Sequence, residues 1–190
     1  MNAGVSKSAI VAVLMERSIG IGLLGAGTVG GALVRRLVGD SDAIAAKTGL
    51  TFDVRRIGVN DLERERSFEV TDGLLTDDPF EVVNDPTVAL VVEVMGGKHP
   101  AGDLILAALE AGKPVVTANK ELIASRGPEL IAAAERAGVP LLFEAAVGGG
   151  IPIIRPLSET LAGERLDRVL GIVNGTTNYI LTQMAEEGTS

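Results

Sequence analysis

The stretch Gly25-Ala-Gly-Thr-Val-Gly30 constrains the fold more than any other feature, because its three glycines separate an apolar run from a helical pattern. Residues 19–24 have the apolar character of a buried strand, and apolar residues recur at helical spacing from Thr28 to about Ala46. In such a turn, glycine permits the tight bend, close approach of an anionic group to the backbone, and packing of helix on strand. The stretch therefore predicts a dinucleotide-binding loop, with a purely structural turn as the less favoured alternative.

Strands and helices alternate along most of the chain. Strand segments are predicted near residues 52–61, 88–94, 114–118 and 139–145, and helices near residues 101–112 and 127–138. Aromatic residues make up only 3% of the sequence, so Ala, Val, Leu and Ile must build the core, which suits parallel strands beneath helices. The order predicts an α/β fold with a Rossmann-like, doubly wound parallel sheet.

The pattern changes at the three consecutive glycines 148–150. A helix near residues 152–162, a strand near 168–173 and a helix near 177–187 are predicted after them. We expect residues 1–150 to form the nucleotide-binding domain, with residues 1–18 as an N-terminal extension. Residues 151–190 are expected to begin a truncated α+β catalytic and dimerisation domain.

Charge and composition exclude several classes of function. The net charge is −8 and the basic residues are scattered, so nucleic acid is not an expected partner. The sequence has no cysteine, which excludes disulfides, thiolate metal sites and a cysteine nucleophile. No apolar run is long enough to span a membrane, and the apolar segment near the N-terminus lacks the features of a signal peptide. We expect a soluble, cytoplasmic protein.

The end of the second predicted strand bears on the choice of cofactor. An acidic residue usually binds the ribose 2′-hydroxyl at this place, whereas this strand ends in Val59-Asn60-Asp61. Asn60 does not repel a 2′-phosphate, and Arg64 and Arg66 follow closely and could pair with one. A solvated charge run is an equally good explanation of the arginines. The choice between NAD and NADP stays open, with a slight preference for NADP.

Four longer motifs resemble the homoserine dehydrogenase family. They are VVEVMGG at residues 91–97, GKPVVTANKELIA at 112–124, FEAAVGGGIPIIRPL at 143–157 and GIVNGTTNYIL at 171–181. The resemblance runs in order from about residue 19 to the end of the chain. The family interconverts L-homoserine and L-aspartate 4-semialdehyde with a nicotinamide cofactor, in the biosynthesis of threonine, methionine and isoleucine. The resemblance implies the same oxidoreductase function for this chain.

The resemblance also implies roles for particular residues at the cofactor site. Gly96 would lie near the nicotinamide ribose, and Lys120 would face cofactor and substrate as the candidate catalytic residue. Without the motif, Lys120 would be interpreted as a solvated lysine at the start of a helix. Together with Asn60 and Lys120, the expected cofactor contacts are Gly25, Ala26, Gly27, Thr28, Val29, Gly30 and Gly96.

A cation site and a substrate turn are implied in the same way. In the family, the loop that begins at Glu144 holds a monovalent cation, usually sodium. The matching ligands are Glu144, Val147, Gly149 and Ile151. Hard cations prefer oxygen ligands, and glycine lets carbonyl groups turn inward. Gly175 and Thr176 match the turn that contacts homoserine, although Thr176 could equally serve as a helix cap.

The acid–base centre of the family finds no match in residues 1–190. In the family, a segment resembling Gly-Tyr-Ala-Glu-x-Asp-Pro precedes an aspartate and a lysine that move the proton. We therefore expect a fragment that lacks the main acid–base residues, of an enzyme that is a homodimer at full length. Whether these 190 residues are active stays open, and a non-catalytic NAD(P)-binding module is the alternative.

Overall fold

The computed structural model describes residues 18–171 and 175–188, except for the side chain of Thr176. The chain divides into two compact units, Met1–Leu142 and Phe143–Ser190. The expected N-terminal extension lies outside the described residues, apart from Ser18, which begins the first strand.

A parallel sheet of six strands, in the order β3-β2-β1-β4-β5-β6, forms the centre of the first unit. This arrangement confirms the predicted Rossmann-like doubly wound sheet. The order reverses between β1 and β4, and ligands of such sheets bind in the crevice at this reversal. The strands are β1 Ser18–Leu24, β2 Thr51–Gly58, β3 Leu75–Thr76, β4 Leu90–Glu93, β5 Val115–Thr117 and β6 Leu141–Leu142.

Helices cover both faces of the sheet. Side chains alternate across each strand, so Val91 enters the core beneath α3, α4 and α5, while neighbouring Val92 enters the core shared with α1. Because both faces are covered, the strands are apolar along most of their length. The helices of this unit are α1 Thr28–Gly39, α2 Ser41–Thr48, α3 Pro79–Asn84, α4 Ala101–Glu110 and α5 Lys120–Ala137.

Two predicted helices differ from the observed ones. The helix predicted from Thr28 to about Ala46 is two helices, separated at Asp40, whose φ of −109° departs from helical geometry. The helix predicted to begin at Gly127 begins at Lys120 instead and contains Pro128. Asn119 starts it by accepting a hydrogen bond from the Leu122 N–H at its side-chain oxygen, at 3.1 Å.

The second unit carries less regular structure. A 3₁₀ turn at Glu144–Ala146 and a π-helical segment at Pro156–Thr160 precede α6, which spans Gly175–Glu186. The predicted helix at residues 152–162 is therefore shorter than expected. The predicted strand at residues 168–173 is absent over residues 168–171, and its remainder lies outside the described residues.

Among residues 18–171 and 175–188, no helix combines the length and apolar character needed to cross a bilayer.

Lys113 closes the end of α3 and provides a test of the first unit's stability. Its ammonium donates hydrogen bonds to the carbonyl oxygens of Val83 at 2.5 Å and Asp85 at 2.7 Å. Burial lowers the pKa of Lys113, an effect that the Asp85 carboxylate partly offsets. We expect Lys113→Met to lower the free energy of unfolding by about 2 kcal/mol, because it removes charged hydrogen bonds to two helix-terminal carbonyls.

Chemical denaturation of this variant checks the expectation, and the control is Lys47→Met at an exposed lysine in the last turn of α2. The control should differ from the unaltered chain by less than about 0.5 kcal/mol, as exposed substitutions usually do. Equal stability of the two variants would show that the Lys113 contacts contribute nothing measurable.

Candidate functional site

The glycine loop joins β1 to α1 at the carboxyl edge of the sheet. Gly25 has a φ of +100°, and a Cβ there would lie 2.8 Å from the Met95 Cα. A Cβ on Gly30 would lie 2.1 Å from the Gly25 carbonyl oxygen. By contrast, a Cβ on Gly27 would meet no protein atom within 4 Å. The first and third glycines are therefore required by packing, and the middle one borders open space.

The first turn of α1 faces that open space. Gly27 occupies the N-cap position, so no side chain caps the helix, and no acidic residue lies in its first turn. The first intrahelical bond runs from the Gly31 N–H to the Gly27 carbonyl at 2.8 Å. Thr28 and Val29 are exposed, while Gly30 is buried. Amides at an uncapped helix N-terminus, reinforced by the helix dipole, favour an anionic group such as a phosphate.

A cleft of about 420 Å³ opens beside the loop, at the ends of β1, β2 and β4. It lies where the strand order reverses, at the expected ligand position of a doubly wound sheet. Its volume falls within the range of small-molecule sites. Its lining residues are Gly25, Ala26, Gly27, Gly58, Val59, Asn60, Arg64, Arg66, Asp77, Pro79, Val94, Met95 and Pro100.

Asn60 and the two arginines singled out from the sequence all line this cleft. The Asp61 carboxylate accepts the backbone N–H groups of Glu63 at 3.0 Å and Arg64 at 3.1 Å, which turns the following loop back. Half-buried Arg66 donates to the carbonyl of Ala26 at 3.2 Å and to the carbonyl of Asp61. Arg64 is exposed at the rim. The cleft wall beyond β2 therefore carries two arginines, together with Asp77.

Gly96 and Lys120 lie beyond the ends of β4 and β5. Gly96 and Gly97 have φ values of +77° and +72°, a conformation that favours glycine. Lys120 is the exposed first residue of α5, directly after the cap Asn119. The Asn119 amide also donates to the Gly97 carbonyl at 2.6 Å, which connects the two segments. Neither Gly96 nor Lys120 is among the residues that line the cleft.

The four predicted cation ligands share one loop of the second unit. Both carboxylate oxygens of Glu144 accept backbone N–H groups, from Ile153 at 2.5 Å, Ile154 at 2.9 Å and Arg155 at 2.8 Å. Gly148 and Gly149 have φ values of +72° and +64° and turn the backbone between Val147 and Ile151. Within the described part of the chain, no group of three or more His, Cys, Asp or Glu side chains is placed to hold a metal.

Of the predicted substrate residues, Gly175 is the exposed first residue of α6, while the side chain of Thr176 lies outside the described residues.

Within the first unit, the structure gathers Gly25, Ala26, Gly27 and Asn60 around the cleft. Motif reasoning alone missed the contribution of Asp77 and Pro79 to the wall, because they follow the two-residue strand β3.

Glu144 provides a pH-dependent test of its loop. Hydrogen bonds from the amides of Ile153 and Arg155 are the main cause that lowers the pKa of the Glu144 carboxyl. A carboxyl group whose pKa is lower in the folded than in the unfolded state stabilises the folded loop at pH values above its unfolded pKa. That stabilisation is lost as the pH falls through the folded pKa. We expect the amide proton shifts of residues 153–155 to titrate together below the ordinary glutamate pKa.

NMR titration measures these shifts, and Glu144→Gln should remove the common titration because the amide side chain does not ionise. If the common titration persists in the variant, another carboxyl group must cause it.

The glycine loop, the uncapped helix start and the cleft at the strand reversal define a dinucleotide-binding domain of the Rossmann class. Two family models match the chain: "Homoserine dehydrogenase, NAD binding domain" over residues 25–144, and "Homoserine dehydrogenase" over residues 152–190. The chain belongs to the homoserine dehydrogenase family.

Curated relatives and solved structures agree with this assignment. The chain is 48% identical over 174 residues to homoserine dehydrogenase of Synechocystis sp. and 50% identical over 173 residues to that of Mycobacterium leprae. These alignments cover 90% and 91% of the chain but 39% of each relative, so the chain spans about two fifths of their length.

Among solved structures, homoserine dehydrogenase from Thiobacillus denitrificans matches with a TM-score of 0.79 and 45% identity, over 91% of this chain and 40% of that one. A hyperthermophilic archaeal homoserine dehydrogenase in complex with NADPH matches with a TM-score of 0.67 and 28% identity, over 91% of this chain and 58% of that one.

Proposed function

We propose that this chain supplies the cofactor-binding domain and the beginning of the catalytic domain of an enzyme that interconverts L-homoserine and L-aspartate 4-semialdehyde. The observation that carries the proposal is the family match over residues 25–144, which includes the glycine loop and every residue that lines the cleft. When bound, the nicotinamide group would donate or accept the hydride. The protein contributes binding, orientation and protection from water.

In this proposal the cofactor phosphates lie against the uncapped start of α1, where the amides of Thr28, Val29 and Gly30 offer donors. Ala26 and Asn60 contact the adenosine half, since both line the cleft. Gly96 and Lys120 serve the nicotinamide half, supported by their place beyond β4 and β5, on the other side of the strand reversal. Lys120 is also the proposed catalytic residue, and within the second unit Gly175 and Thr176 are the proposed substrate-binding residues.

The preference for NADP over NAD is part of the proposal. It is supported by the absence of an acidic side chain at position 60 and by the two arginines at the cleft wall. A 2′-phosphate is recognised best by charge-assisted hydrogen bonds of the kind that guanidinium groups donate.

A monovalent cation such as sodium is proposed for the loop of Glu144, Val147, Gly149 and Ile151, with backbone carbonyls as its ligands. The left-handed glycines fit this role, because they turn carbonyl groups away from regular structure. The Glu144 carboxylate does not fit equally well, since both of its oxygens already accept amide hydrogens. Its backbone carbonyl is therefore the proposed ligand.

The remaining parts of the proposal concern organisation. We place the boundary between nucleotide-binding and catalytic domains near Gly150, and we expect the full-length enzyme to be a homodimer. Exposed apolar side chains on α6 support an association surface. They are Tyr179, Ile180, Leu181 and Met184. A cytoplasmic location is proposed because a cysteine-free chain suits a reducing compartment.

The deciding experiment combines calorimetric titration of the chain with NADH and NADPH and an assay with L-homoserine and NAD+ or NADP+. We expect micromolar binding of at least one dinucleotide. Turnover that Lys120→Ala reduces by about 100-fold or more, as expected when a group that orients substrate is lost, would support the full enzymatic role. Lys47→Ala, an exposed lysine on α2, is the control for the lost charge.

Binding without turnover would limit the function of these 190 residues to dinucleotide binding, the property that the proposed cofactor-binding domain shares with the alternative of a non-catalytic module. Failure to bind either dinucleotide would overturn both functions.

A further inference from the structure

Glu93, the last residue of β4, is a fully buried carboxylate at the centre of the sheet's carboxyl edge. In the strand register it lies between Leu24 of β1 and Thr117 of β5. It is therefore beside the strand reversal at which dinucleotides bind. A buried carboxylate is costly unless its own oxygens accept hydrogen bonds or pair with a positive charge.

Three neutral donors surround this carboxylate. One oxygen accepts the backbone N–H groups of Met95 at 3.0 Å and Gly96 at 3.1 Å, and the other accepts the Thr117 hydroxyl at 2.6 Å. Glu93 is thereby bonded to the loop that follows its own strand and to the end of the neighbouring strand. The loop residue Met95 lines the cleft and also packs against Gly25, where even a Cβ would not fit.

The hydrogen-bond network continues from Thr117 to the start of α5. The Thr117 hydroxyl accepts the backbone N–H of Asn119 at 3.0 Å, and the Asn119 side-chain oxygen accepts the Leu122 N–H at 3.1 Å. The Asn119 side-chain amide then donates to the Gly97 carbonyl at 2.6 Å, which closes the network back onto the loop. Lys120 directly follows Asn119 as the exposed first residue of the helix, so these contacts set where its backbone lies.

We infer that Glu93 is a positioning residue that holds residues 95–97 and the start of α5, with Lys120, in one shared geometry for the nicotinamide half of the cofactor. Both segments follow strands of the second half of the sheet, whereas the adenosine half belongs to β1 and β2. Thr117 transmits the effect because its hydroxyl donates to the carboxylate and accepts from Asn119. The part that concerns the cofactor rests on the proposed function.

The sharpest test is Thr117→Val, which keeps the side-chain shape and removes only the hydroxyl. Thr117→Ser, which keeps the hydroxyl, is its matched control. Truncation of Glu93 would remove the acceptor of the Met95 and Gly96 N–H groups and of the Thr117 hydroxyl together, whereas Thr117→Val removes only the contacts of the hydroxyl with Glu93 and Asn119, so the hydroxyl is the more selective target. We expect Thr117→Val to bind NADH and NADPH about tenfold more weakly, the loss that one organising hydrogen bond produces.

Ligands without nicotinamide distinguish positioning from general damage. ADP-ribose and 2′-phospho-ADP-ribose should bind Thr117→Val and the unaltered chain with affinities within about twofold, because the adenosine half is unaffected. Thr117→Ser should retain affinity for all four ligands. Equal losses for the ligands with and without nicotinamide, or no loss for either, would overturn the inference.

Amide hydrogen exchange tests the same inference without cofactor. Thr117→Val should speed exchange about tenfold at both Gly96 and Asn119, while Thr117→Ser leaves both unchanged. A change at Asn119 alone would mean that the two segments are not coupled through Glu93. If the unaltered chain binds no ligand, the proposed function fails, whereas the exchange result still decides whether this coupling exists.

Discussion

Gly30→Ala is expected to lower the free energy of unfolding by about 2–3 kcal/mol, the cost of overpacking a site that has no room for a methyl group. The new Cβ would lie 2.1 Å from the Gly25 carbonyl oxygen and 3.0 Å from its carbonyl carbon. Both are backbone atoms, so the turn between β1 and α1 must shift. Since this turn carries the amides proposed to bind phosphate, dinucleotide binding should be lost together with stability.

Gly27→Ala is the matched control because it separates the two effects. Gly27 has a φ of −77°, which alanine adopts readily, and its Cβ would meet no protein atom. Its stability in chemical denaturation should therefore equal that of the unaltered chain, while calorimetry should show weakened dinucleotide binding. Unchanged binding in Gly27→Ala would mean that phosphate does not approach this loop, and unchanged stability in Gly30→Ala would contradict the packing argument.

The part of the fold that the sequence predicts well is the part set by local pattern. The apolar run before Gly25 and the helical spacing after Thr28 determine a strand, a turn and a helix within about 20 residues. Helix ends were predicted less well. The pair Gly127-Pro128 indicated a helix start, yet the cap at Asn119 begins α5 earlier, and packing of Leu122 and Leu130 in the core stabilises a helix that contains proline.

Elements that depend on distant partners were missed. Strand β3 has only two residues, and it exists because Leu75 and Thr76 pair with Ile57 and Gly58 of β2. Nothing in its own sequence distinguishes it from a loop, since two residues are too few to show a strand periodicity.

The candidate site likewise has features that the sequence predicts and contacts that it does not. The glycine loop could be found from spacing alone, because the apolar run, the three glycines and the helical pattern follow one another directly in the sequence. The contact of Arg66 with the Ala26 carbonyl joins residues 40 positions apart, and the Glu144 carboxylate meets amides nine to eleven positions away. Such contacts are set by how loops fold over the sheet edge or over each other, which a sequence pattern does not encode.

The two arginines of the cleft wall provide the second large prediction, which concerns cofactor choice. Exposed Arg64 lines the cleft, and its backbone N–H is held by the Asp61 carboxylate. Because the side chain is exposed, its guanidinium can reorient toward a 2′-phosphate. We expect Arg64→Ala to weaken NADPH binding about tenfold or more, the effect of a lost charge-assisted hydrogen bond, and to leave NADH binding unchanged.

Arg66→Ala should behave differently, because Arg66 is tied to the glycine loop through the Ala26 carbonyl as well as to Asp61. Its loss should loosen the loop and weaken NADH and NADPH binding alike.

Arg55→Ala, on β2 and paired with Asp53 at 2.8 Å, removes the same charge outside the cleft and is the control. Calorimetry with both dinucleotides at one fixed salt concentration measures the differences, because salt screens exposed charges. If Arg64→Ala weakens NADH and NADPH equally, Arg64 does not read the 2′-phosphate, and the basis for an NADP preference is lost.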